Sequence, residues 1–121
     1  MKKAIQITTL GEMIVIDLES ESLLKLQRAV SGWVQAIDLS ETMSMWCNEE
    51  GKMIGLAHNP FGQAFWEKSY GRTDYIVGDI VITGGVDEEG ETISLTDEQI
   101  AFVTAVVAEV NEFISPRILV I

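Results

Sequence analysis

Apolar and polar residues alternate from the start of the chain. Residues 2–9 (KKAIQITT) and 12–18 (EMIVIDL) place Ile5 and Ile7, then Ile14 and Ile16, two apart, which predicts two strands around a turn at Leu10-Gly11. The pattern then changes. Glu19, Ser20, Glu21 and Ser22 introduce a helix over about 20–32, with Ser20 or Ser22 as its cap and negative charge suited to its first turn. Leu23, Leu26 and Val30 lie on one helical face, and Gly32 is placed to stop it. Trp33 to Ile37 reads as a further strand. Met43–Cys47 and Lys52–Leu56 flank Asn48-Glu49-Glu50-Gly51, a hairpin signal in which Gly51 supplies the left-handed residue.

Residues 57–74 are less regular: Asn59-Pro60 marks a turn, and Pro60 opens a short helix through Trp66 or Lys68. Tyr75 to Thr83 (YIVGDIVIT) reads as a strong strand that Gly84-Gly85 breaks. An acidic turn over 86–91 and a short strand, Thr92 to Leu95, follow. The final helix, 96–114, opens on a capping-box pair, Thr96 and Gln99, with Leu95 and Ile100 at staple positions. Its apolar stripe is Ile100, Val103, Val106, Val107, Val110, Phe113 and Ile114. Ser115-Pro116 ends it, and Arg117–Ile121 reads as a terminal strand that pairs inside the sheet or adds to another subunit. The expected fold is α+β: a mostly antiparallel sheet with two main helices, about 20–32 and 96–114, packed on one face. An apolar edge left open invites association, so a homodimer stands among the expectations. Residues 47–56 and 86–95 match at five of ten positions; a duplication is one reading, and two acidic hairpins, each with a left-handed glycine, is the leading one.

Length and composition narrow the classes. At 121 residues and 47% apolar, the chain forms one domain, 1–121, with one hydrophobic core. Nineteen acids against eight bases give a net charge of −11, which argues against direct nucleic-acid binding, where phosphate contacts demand a basic surface. Cys47 and His58 are the single cysteine and the single histidine. No internal disulfide can form, and a four-ligand zinc site is out of reach. Met1-Lys2-Lys3 resembles a signal-peptide start, but Gln6, Thr8, Thr9, Gly11 and Glu12 interrupt any apolar segment. No run of about 18 apolar residues is present to span a bilayer. The expected location is a reducing cytoplasm, with no membrane association.

The stretches NEEGKMIGLAHNP, YIVGDIVITGG and DEEGETISLTDEQI, in this order, resemble the domain of unknown function family 3846 of phages, plasmids and bacteria. That family shares an N-terminal strand pair, a helix, a CNEEGK segment, a strand ending in GG and a helix that starts SLTDEQI. The resemblance covers roughly residues 30–105. It implies an accessory protein of a mobile element acting in a host cytoplasm, and it implies no reaction.

Candidate chemistry is thin. A Cys–His pair can act as a nucleophile, but Cys47 follows Trp46 on an expected strand, where a small apolar residue usually packs. No catalytic residue, metal site or cofactor is assigned. Asp87, Glu88, Glu89 and Glu91 lack the alternating register of a calcium loop. Charge segregation says more. Residues 1–72 hold nine acids and seven bases, whereas residues 73–121 hold ten acids and one base, Arg117. Such a field attracts basic protein surfaces, so Asp87, Glu88, Glu89, Glu91, Asp97 and Glu98 are the expected partner-binding surface. The leading expectation is a non-catalytic binding protein that interferes with a host protein of basic surface. The alternative is a module holding a small nucleotide at 58–72, where His58, Asn59, Trp66, Lys68, Tyr70 and Arg72 combine aromatic rings with cations. An uncharacterised enzyme is a third reading.

Overall fold

In the computed structural model, which describes residues 1–114, the alternation at the N-terminus becomes a hairpin of β1 (Lys3–Ile7) and β2 (Met13–Asp17), with Gly11 left-handed in the turn. β3 (Val34–Ser40) and β4 (Met43–Asn48) form a second hairpin, and β5 (Ile80–Thr83) inserts between the two. The result is one five-stranded sheet in the order β2-β1-β5-β4-β3, with every pairing antiparallel. The four residues of β5 are all buried, as a central strand covered on both faces requires.

Three helices cover the sheet. α2 (Pro60–Tyr70) and α3 (Asp97–Ile114) lie on one face, where Phe61, Phe65, Val103, Val106 and Val107 meet Ile5, Ile7, Met45, Ile80 and Ile82. Phe61 and Phe65 are almost wholly removed from water, each burial stabilising by about 1.5–3 kcal/mol. α1 (Ser22–Val30) covers the other face, packing Leu26, Ala29 and Val30 on Ala4, Leu18 and Val81. The α+β class holds, but the first and last helices sit on opposite faces rather than one. Alternation gives each β5 neighbour an apolar side chain on both faces, and a single helix layer leaves Ala4 and Val81 uncovered.

Several local expectations are corrected. Neither Ser20 nor Ser22 caps α1; Glu21, left-handed at φ 52°, precedes it without a side-chain bond, and Leu23 is 56% exposed. Ser31, not Gly32, takes the left-handed position that ends it, while the Asn48 amide packs against Gly32. The turn at 48–51 does not form a hairpin: residues 51–55 make successive turns, and Gly55 rather than Gly51 is left-handed. Both sides of β4 are already taken, by β3 and β5, so Lys52–Leu56 has no strand to join. The stretch Tyr75–Thr83 is a strand only from Ile80, because Gly78 turns at φ 76° and Val77 bridges His58 instead. Thr92 makes only an isolated bridge, to Val86. The capping box forms as read: Gln99 N–H donates to Thr96 Oγ1 at 3.1 Å, and Thr96 N–H to Gln99 Oε1 at 3.0 Å. The expected strand at 117–121 lies outside the described residues.

Candidate interaction surface

The chain leaves β5 through Gly84, which allows a close backbone approach: a Cβ there would sit 2.5 Å from the Ser94 carbonyl oxygen. Gly84 N–H donates to the Ile93 carbonyl at 2.8 Å, and Ile93 N–H to that of Gly85 at 3.0 Å. A narrow hairpin results, with its tip at Asp87–Gly90. Asp87 holds the tip, because its Oδ1 accepts the N–H groups of Glu89 and Glu91, both at 2.9 Å. That carboxylate is committed to the turn. Glu88, Glu89 and Glu91 are exposed beside it, and among the described residues none of them forms an ion pair.

At the base of the hairpin lies a groove of about 490 Å³. Glu41, from the β3–β4 turn, and Glu98, from the first turn of α3, border it; Ile93 and Phe102, each 45% exposed, give it apolar walls. The Gln99 amide donates to the Thr42 carbonyl at 2.9 Å and ties α3 to the β3–β4 turn. Glu98 is thus brought into one surface with a residue the sequence reading missed, Glu41. Only the pairing of β3 with β4 reveals Glu41, since it lies 46 residues before Asp87. Asp97 points elsewhere, toward Lys3 at 3.9 Å, with its side chain 97% exposed. A pair so exposed contributes little.

The aromatic, cationic segment at 58–72 does not converge. α2 winds its residues around an axis, and they look into different depressions. His58 borders a groove between α2 and the end of α3, within reach of Gln63 Oε1 at 3.4 Å. Trp66 lines a separate cleft of about 220 Å³ and donates its indole N–H to Thr73 Oγ1 at 3.1 Å. Lys68 faces a third depression, beside Leu39 and Phe102. Tyr70 stacks near Trp66, with centroids 4.3 Å apart, and donates its hydroxyl to the Asp38 carbonyl. The Arg72 side chain is 94% exposed, 3.7 Å from Glu67. Asn59 is wholly buried, with its amide fully engaged in the fold.

Cys47 is buried on β4 and lines the Trp66 cleft, away from the groove that His58 borders. Burial pushes its thiol up; Lys52 opposes this with a smaller effect and Asp74 adds to it. A thiol held protonated is a poor nucleophile. Lys52 sits 4.2 Å from the Tyr75 ring centroid and is paired with Asp74 at the rim of that cleft. Among the described residues no three His, Cys, Asp or Glu side chains gather as metal ligands, and no helix is long and apolar enough to cross a membrane.

These features define a small α+β domain with a projecting acidic hairpin. Its sequence matches the family model described as domain of unknown function (DUF3846) over residues 1–108, and the chain belongs to that family. No curated protein and no solved structure matches it.

Proposed function

We propose that this is a non-catalytic binding protein that docks on a basic protein surface through the hairpin tip and the groove at its base. The observation that carries this reading is the arrangement of Glu88, Glu89 and Glu91 on a braced turn, next to a groove bordered by Glu41 and Glu98 with apolar walls. Carboxylates steer a cationic partner, and Ile93 and Phe102 offer the apolar contact that desolvated docking needs. In the mobile-element setting that the family resemblance implies, the partner is a host protein, and binding interferes with its work. The dispersal of His58, Trp66, Lys68 and Arg72 over separate depressions supports this reading over a nucleotide site.

The test is charge reversal. Glu88, Glu89, Glu91 and Glu98 are replaced together by Lys; Asp87 is left in place because it holds the turn. A partner isolated from host lysate with the parent protein, then purified, is titrated against each variant. Affinity is expected to fall at least about tenfold in the reversed protein and to weaken steeply with salt, since screening acts over about 8–10 Å at physiological ionic strength. A folded Trp66→Ala, Arg72→Ala variant is expected to bind as the parent does. Binding that survives charge reversal and is lost in the Trp66, Arg72 variant sinks the proposal.

A further inference from the structure

We propose that β2 is a pairing edge for a second copy of this chain, which joins two sheets into one across a two-fold axis. Among the described residues, β2 ends the strand order and pairs only with β1. The hydrogen-bond phase fixes which residues face outward. Thr8 N–H donates to the Glu12 carbonyl at 3.0 Å, and Leu18 N–H to that of Lys2 at 2.8 Å. In the register Ala4↔Ile16 and Gln6↔Ile14, the even-numbered residues of β2 therefore direct their backbone groups to β1. Met13, Val15 and Asp17 direct theirs to the open edge. The Asp17 carbonyl is already taken, by Lys25 Nζ at 2.7 Å. Among the described residues, Met13 and Val15 remain as open ladder positions.

The side chains agree with the backbone. Met13, Ile14 and Val15 are 36%, 45% and 60% exposed, and this run carries no charge, proline or bulge, the usual means of blocking an edge. The opposite edge of the same sheet is blocked. β3 has a register shift between Asp38 and Ser40, and the Ser69 and Tyr70 hydroxyls of α2 cap the Leu39 and Asp38 carbonyls.

Charge selects a second copy as the occupant. At net −11, two copies repel one another over most approaches. Residues 1–31 are the exception: Lys2, Lys3, Lys25 and Arg28 balance Glu12, Asp17, Glu19 and Glu21. Contact along β2 brings two neutral regions together. Antiparallel pairing centred on Ile14 sets Met13 against Val15 of the other copy, and each such pair exchanges both of its backbone bonds. Ile14 then faces its own copy at the narrow position, and Lys25 stays where it is. Centring on Val15 would press the occupied Asp17 carbonyl against Met13.

Sedimentation equilibrium of the full chain is expected to give twice the single-chain mass. Val15→Pro removes an outward N–H while leaving the β1 ladder intact, and is expected to give a folded monomer by circular dichroism and sedimentation. In a Cys47→Ser background, Ile14→Cys is expected to oxidise to a disulfide dimer, because narrow pairs lie about 4.5 Å apart between Cα atoms, within disulfide reach. Val15→Cys in the same background is expected to cross-link far less. A parent that is monomeric at all concentrations overturns the proposal. So does a folded Val15→Pro dimer, or cross-linking through Val15→Cys and not Ile14→Cys.

Discussion

Asn59 has no solvent exposure and engages its side-chain amide at both ends. Its Oδ1 accepts the N–H groups of Phe61 and Gly62 at 3.0 and 3.1 Å, which caps α2. Its Nδ2 donates to the carbonyls of Ile7 and Gly78, at 3.2 and 2.8 Å, and so joins β1 to the approach to β5. Asn59→Ala loses the cap and takes the Nδ2 donor from the Gly78 carbonyl where water does not reach, while the Ile7 carbonyl keeps its ladder partner on β5. The expected cost is about 2–4 kcal/mol, measured as a lower urea midpoint at unchanged slope. Asn59→Asp is expected to be worse at neutral pH, because it keeps the cap but turns a carboxylate toward those two carbonyls. Part of that loss should return as the pH falls and the carboxyl protonates. An Asn59→Ala protein within about 0.5 kcal/mol of the parent would show that these bonds carry no net stability.

α3 shows how far a helical pattern reads. Val103, Val106 and Val107 are buried, whereas Phe113, placed on the same stripe by spacing alone, is 87% exposed. Val106→Asp buries an unpaired charge and is expected to cost more than about 4 kcal/mol, or to prevent folding. Phe113→Asp is expected to fall within about 0.5 kcal/mol of the parent, and thermal melts of the two variants compare them directly. A stable Val106→Asp protein would put the wrong face of α3 on the sheet. The start of this helix was legible because Thr96 and Gln99 are local chemistry. The β1–β2 hairpin was legible for the same reason. What depended on a distant neighbour was not. Helical spacing shows that α1 has an apolar face, not which side of the sheet it will cover. Lys52–Leu56 and Tyr75–Val77 carry strand-like residues, but the sheet has no vacancy for the first, and Gly78 turns the second away. The candidate surface divides likewise. The acidic turn at 87–91 was readable as sequence, Glu41 joins it only through the sheet, and the rotation of α2 scatters a cluster that looks continuous in one dimension.

For the whole molecule, net charge sets the response to salt and two carboxylates set the response to acid. A chain at net −11 repels itself, which opposes the compact state. Two carboxylates favour it. The N–H groups of Glu19 and then Lys2 hold Asp17 below the usual carboxylate range, and the Lys52 ammonium does the same for Asp74, helped by the Tyr75 N–H. Unfolded, both return to the ordinary aspartate value of about 3.9. Between that value and the lower folded ones, the unfolded chain binds more protons, so stability falls with falling pH and rises with rising pH. Above that window these two groups contribute a constant amount. Their side chains are in contact with water, so each contribution is screened, and Lys52 and Asp74 are both 42% exposed. The thermal midpoint at fixed ionic strength is therefore expected to decline below about pH 4. Added salt at pH 7 should raise it, because screening relieves the self-repulsion. In the double variant Asp17→Asn, Asp74→Asn the salt response should persist while the acid decline becomes shallower. An acid decline equally steep in that variant and the parent would place the acid-sensitive groups elsewhere in the fold.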